Sequence, residues 1–192
     1  MSRLFAALIC LGLGWGVAVL TGCASGDRQN AGQVPESTDT LPIGAEAPKF
    51  RLFDSAGNGV ALEDFAGRPV VLVFYPGNDT PTCTRQLCEL RDDWGAFEKE
   101  DVAVLAINPA DGASHARFKA EYDLPFPLLV DPGGEVAKAY MSQGVFGINR
   151  RTVYAVGPDG RIVFAERGRP TPARILQAIA SEPASAGAAG AG

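Results

Sequence analysis

The stretch Val70-Val71-Leu72-Val73-Phe74-Tyr75-Pro76-Gly77-Asn78-Asp79-Thr80-Pro81-Thr82-Cys83-Thr84-Arg85-Gln86-Leu87-Cys88 is the most informative part of this chain. Val70 to Tyr75 is an unbroken run of β-branched, aliphatic and aromatic residues, the composition of a buried strand. Thr80 followed by Pro81 predicts a helix start, with Thr80 as N-cap and Pro81 at the first helical position. Cys83 then falls in the first turn, among backbone N–H groups without helical partners and at the positive end of the helix dipole. Such surroundings favour the thiolate, which is the reactive form of cysteine. The arrangement makes Cys83 a nucleophile.

Cys88 follows five positions later, inside the same predicted helix. Five helical residues give about 7.5 Å of rise and about 140° of rotation, so the two Cα atoms stand roughly 8.7 Å apart. A disulfide tolerates no more than ~7 Å without backbone movement. Joining Cys83 to Cys88 therefore requires the helix to unwind locally, which suits a redox cycle better than a structural staple.

The chain has 192 residues, 46% of them hydrophobic, which is enough for one globular domain. Arg3 is followed by an almost wholly apolar run from Leu4 to Leu20, and Leu20-Thr21-Gly22-Cys23 closes it with small residues. Residues 1–22 read as a signal segment. The closing tetrapeptide resembles the lipobox of bacterial lipoproteins, which implies lipidation of Cys23. An uncleaved anchor helix is the alternative, since the apolar run approaches the length needed to span a bilayer. Either way the body is expected outside the cytoplasm, tethered to a membrane at the cell envelope on the periplasmic side. Ala24 after the lipid cysteine implies the outer membrane in a Gram-negative host. Cys10 leaves with the signal and Cys23 carries lipid, so Cys83 and Cys88 are the remaining thiols.

A net charge of −5 and the lack of a basic tract argue against nucleic acid and anionic lipid as partners. His115 is the single histidine, no metal-ligand cluster is visible, and its place near a helix start predicts a surface residue. Residues 23–41 read as a flexible tether and 181–192 as a disordered Ala/Gly tail. The folded domain is expected over 42–180. Phe50 to Phe53 and Val60 to Leu62 around Gly57-Asn58-Gly59 predict an N-terminal β-hairpin. Apolar strand-like runs then alternate with helical patterns. One helix is expected from Pro81 to about Glu100, burying Leu87, Leu90, Trp94 and Phe97. The order predicts an α/β, thioredoxin-like fold with a mixed central sheet flanked by helices on both faces.

Phe74-Tyr75-Pro76, Thr80 and Cys83, with Cys88 at its spacing, Leu90-Arg91-Asp92, and Tyr122-Asp123-Leu124-Pro125-Phe126-Pro127-Leu128-Leu129 further on, resemble the peroxiredoxins of the bacterioferritin-comigratory, or PrxQ, group. Arg151, three residues before Tyr154, matches that family's active-site arginine, and its neighbour Arg150 is the alternative. The resemblance implies a thiol-dependent peroxidase acting on hydrogen peroxide and organic hydroperoxides. In it Cys83 is peroxidatic and Cys88 resolving, Arg151 is the charge partner, Thr80 orients the peroxide and Pro76 walls the pocket. It implies no cofactor, a monomer, and a thioredoxin-like or other envelope dithiol as reductant. Gln86 stands where many members carry Glu, and Asn108-Pro109 replaces a commoner Ser-containing turn. Two rival readings stay open: an envelope thiol–disulfide oxidoreductase of thioredoxin type, and a non-enzymatic redox sensor. The first would use Cys-x2-Cys, which Thr84-Arg85-Gln86-Leu87 interrupts here.

Overall fold

A computed structural model describes residues 39–182. The expected signal segment 1–22, the lipidation site at Cys23, most of the 23–41 tether and nearly all of the 181–192 tail lie outside the described residues.

The described chain builds β1 (Arg51–Asp54), β2 (Gly59–Ala61), β3 (Val70–Phe74), α1 (Pro81–Asp92), α2 (Trp94–Lys99), β4 (Ala103–Asn108), α3 (Gly112–Glu121), β5 (Leu128–Val130), α4 (Glu135–Ala139), β6 (Thr152–Val156), β7 (Ile162–Arg167) and α5 (Pro172–Ala180). The strands form one sheet in the order β2-β1-β5-β4-β3-β6-β7. Its centre is parallel, with β3 against β4 and β4 against β5, and its flanks are antiparallel. The hairpin expected near the N-terminus forms as β1 and β2, Gly57 taking φ 85° at its turn.

Alternation along β3 builds two cores. Val71 and Val73 face a layer that includes Leu87, Leu90, Phe97, Phe118, Phe126 and Ile175. Val70, Leu72 and Phe74 face the opposite layer, with Phe50, Leu62, Leu105, Ala137, Tyr140 and Tyr154. Every residue of β3, β4 and β6 is buried, as helices on both faces require.

Three expectations need correction. The long helix over Pro81 to Glu100 is broken at Asp93, whose φ −96°, ψ 14° ends α1 and starts α2. The break keeps Leu87, Leu90 and Phe97 in one core while Trp94 packs at its edge between the Phe97 and Phe126 rings. His115, expected at the surface, is fully buried. The tether's last residues, 39–41, are fastened to the domain: Asp39 pairs with Arg150 at 2.7 Å and with Arg167 at 3.2 Å, and Leu41 N–H donates to Tyr154 Oη. The Arg150 hydrogen bond, helped by Arg167 and opposed by some desolvation, holds the Asp39 carboxyl below the usual carboxylate range.

Candidate active site

The bend at Pro76 follows β3, and Thr80 caps α1 as its sequence predicts, Oγ1 accepting from the Cys83 N–H at 3.3 Å. This bond orients the first turn and leaves the threonine hydroxyl proton free to point elsewhere. Cys83 itself is fully buried beside Val71, Val73, Tyr75, Leu87 and Val153. Pro76 is half-buried and Thr80 exposed, so the site opens on their side.

Arg151 approaches from the start of β6. Its Nη2 donates to Cys83 Sγ at 3.1 Å. Arg150 points away and pairs with Asp39, as strand alternation separates two neighbours. The remaining arm of Arg151 is held by Gln86, whose Oε1 accepts from Nη1. Gln86 is three residues after Cys83, on the same face of α1, and buried. A neutral amide holds the guanidinium here without competing for its charge, which stays available to the sulfur.

Cys88 is half-buried, and both thiols are free. Burial, with the Asp92 charge adding and Arg91 opposing, raises the Cys88 pKa above its ordinary value. With α1 continuous through both positions, their separation is the helical one expected from sequence.

A polar network beneath the Pro76–Thr80 loop was not foreseen. Asn78 Oδ1 accepts from Tyr75 Oη at 2.9 Å and from Asn108 Nδ2 at 3.1 Å. Asn78 Nδ2 donates to Ser114 Oγ at 2.8 Å and lies 3.2 Å from His115 Nδ1. One amide thus straps the loop to the end of β4 and the first turn of α3, with all four of its hydrogen-bonding positions engaged. Tyr75, Asn108 and His115 are fully buried. Burial, then the charges of Cys83 and Asp79, keep the Tyr75 phenol well above its usual range, so it serves as donor. Desolvation lowers the His115 pKa against the Leu129 and Asn108 carbonyls and Asp111, and a neutral ring suits the Nδ1 acceptor role. Its Nε2 makes no hydrogen bond of normal geometry. Asp79, next in the loop, adopts φ 57°, a conformation that non-glycine residues hold only when their surroundings enforce it. Nothing in the spacing of Gly77-Asn78-Asp79 announces three partners some thirty residues downstream.

A pocket of about 300 Å³, lined by Glu46, Lys49, Leu62, Arg68 and Arg161, lies at the opposite ends of β3 and β6, beside Val70 and Val156. It does not include Cys83. Chemically, the Cys83 site offers a buried sulfur, a fixed cation touching it, a hydroxyl at its rim and a second thiol one helical turn and a half along α1.

The sequence profile of the AhpC/TSA family matches residues 43–165. Peroxiredoxin Q, chloroplastic, of Oryza sativa subsp. japonica is 42% identical over 123 residues, covering 63% of this chain and 57% of that protein. The chain thus spans less than two thirds of that relative's length. The crystal structure of peroxidoxin BcpB from Mycobacterium tuberculosis superposes with a TM-score of 0.66 at 27% identity, covering 73% of this chain and 95% of the other. PrxQ from Xylella fastidiosa, solved as a cysteine-to-serine mutant, gives 0.65 at 25% identity, with 73% and 94% covered.

Proposed function

Because this chain belongs to the AhpC/TSA family, we propose that it is a thiol-dependent peroxidase that reduces hydrogen peroxide and organic hydroperoxides. The observation that carries the reading is the 3.1 Å contact between Arg151 Nη2 and Cys83 Sγ at the start of a helix.

The Cys83 thiolate attacks one peroxide oxygen, an S–O bond forms, and the O–O bond breaks. The departing oxygen takes a proton and leaves as water or an alcohol. Charge moves in this step from sulfur to the leaving oxygen, and the Arg151 guanidinium, held by Gln86 against the sulfur, supplies the positive charge that stabilises it. The Thr80 hydroxyl orients the peroxide, and Pro76, which has no N–H, limits water at the mouth. Cys88 then attacks the sulfenic sulfur: an S–S bond forms, the S–O bond breaks, and water leaves. The first turns of α1 unwind to allow it. An external dithiol, thioredoxin-like or another envelope donor, reduces the Cys83–Cys88 disulfide and is itself oxidised. No cofactor or metal enters the cycle. The protein acts as a monomer, lipid-anchored through Cys23 at the cell envelope.

Cys83→Ser should abolish peroxide consumption in a stopped-flow assay, and full activity in that variant would end the proposal. Cys88→Ser should complete one turnover and accumulate a sulfenic acid at Cys83 that a dimedone-type reagent traps. Acylation of Cys23 is read from the mass of its peptide.

A further inference from the structure

Among the described residues, six large hydrophobic side chains are exposed, and four of them, Met141, Val145, Phe146 and Ile148, fall within eight consecutive positions. Scattered exposed apolar residues are ordinary, whereas a contiguous cluster marks an interaction surface. Phe146 is 95% exposed and Val145 73% exposed.

The segment that carries them is built, not loose. Arg150 N–H donates to the Ser142 carbonyl at 2.7 Å, Gln143 and Asn149 bridge, and Gly144 N–H donates to the Ile148 carbonyl at 2.7 Å. A Cβ at Gly144 would meet that carbonyl oxygen at 2.7 Å, so the narrow waist requires glycine. Phe146 sits at the tip with φ 59°, a strained conformation for a bulky residue, and its ring is almost wholly exposed among the described residues. The result is a short finger whose tip is apolar and whose base is polar. Arg151, which touches Cys83, is three residues beyond Ile148, so the chain allows at most about 10 Å between the end of the finger and that arginine.

Asp39, where the described chain begins, is held at the finger's base by Arg150 and Arg167, and Arg167 also donates to the Met141 carbonyl. Cys23 lies sixteen residues upstream. Sixteen residues of chain reach at most about 55 Å. An anchor at Cys23 therefore brings a bilayer within reach of this edge of the domain. Both nearby arginines are engaged with Asp39 and the chain is acidic, so attraction to that bilayer rests on apolar contact, not on charge.

We infer that the Met141–Ile148 finger is a membrane-docking surface that inserts Val145, Phe146 and Ile148 into the acyl boundary and presents Cys83 to hydroperoxides carried on membrane lipids. This rests on the proposed lipid anchor and peroxidase activity. The reaction is the one already balanced above, the leaving group being a lipid alcohol.

The test uses the lipidated chain reconstituted in phosphatidylcholine vesicles that contain phosphatidylcholine hydroperoxide, beside a double variant, Val145→Ser with Phe146→Ser. The variant should keep its rate with hydrogen peroxide within twofold and lose at least tenfold on the vesicle-borne substrate, at low and high salt alike. Equal rates on both substrates would overturn the inference. So would a wild-type dimer that the variant dissolves, which makes a second copy the occupant, or a loss confined to turnover by the dithiol donor, which makes the reductant the occupant. The mass of the Cys23 peptide separates the two proposals. If Cys23 carries no acyl group the anchor fails alone, and the finger is then judged by whether flotation of the unanchored chain with the same vesicles depends on Phe146.

Discussion

Replacing Asn78 with alanine probes the strap under the catalytic loop. The substitution removes the partner of three fully buried side chains, Tyr75, Asn108 and His115, and of the half-buried Ser114. Each buried polar group left without a partner costs about 1–3 kcal/mol. The Tyr75 and Ser114 hydroxyls can turn, and the vacated amide volume can admit a water with several polar neighbours, so the low end applies to most of them. The expected loss is about 3 kcal/mol, seen as a lower urea midpoint at unchanged slope for the reduced chain. That is roughly 6–12 °C in Tm for a domain of this size. The loss should not fall evenly on the catalytic cycle. The strap exists only while the loop is folded, and the disulfide forms only when the start of α1 opens. If about 1.4 kcal/mol of the loss appears in that opening, the open state is populated tenfold more and the Cys88 step accelerates by that factor. Sulfenic acid formation should slow, because Arg151 and Cys83 hold their contact only in the closed state. Rapid-quench measurement of both steps separates them. A stability loss under 1 kcal/mol, or equal slowing of both steps, would refute the reasoning.

Gln86→Leu should slow the peroxide step about tenfold and leave the disulfide step unchanged, since only the Arg151 guanidinium loses its holder. Arg151→Lys should cost more, on the order of 10²-fold, because an ammonium cannot bridge Gln86 and the sulfur at once; stopped-flow traces with hydrogen peroxide rank the two. The raised pKa of Cys88 means that little of it is thiolate at neutral pH in the closed state, so disulfide closure should quicken as pH rises toward and beyond 9. A flat profile there would mean that opening of α1, not the thiol, limits the step. For His115 the folded pKa is lowered, chiefly by desolvation. The unfolded chain then binds the extra proton first, and stability should fall as pH drops below about 6.5. His115→Asn should flatten that part of the profile in a urea titration series.

Most of the site was legible because its parts are local. Thr80, Pro81 and Cys83 announce a capped helix start by residue type and spacing alone, and Cys88 declares its distance through helix geometry. The apolar runs of β3, β4 and β6 can be read for the same reason, since a strand buried on both faces needs no partner to reveal it. Gln86 was visible as a residue three positions from Cys83, but its duty was not, because that depends on where Arg151 arrives.

What only the tertiary structure decided is everything that joins distant segments. Arg151 rather than Arg150 meets the sulfur because β6 pairs with β3 in one register, and a shift of one residue would exchange them. His115 is buried because α3 lays its first turn against the catalytic loop, a fact that its own helix pattern does not contain. Asn78 finds its partners on β4 and α3, and Asp39 fastens itself beside the finger of Met141–Ile148. Sequence alone determines local backbone preferences and which residues are apolar, for these act over a few positions. Which polar groups meet is settled by the packing of whole elements, where a buried donor must find an acceptor wherever the fold has placed one.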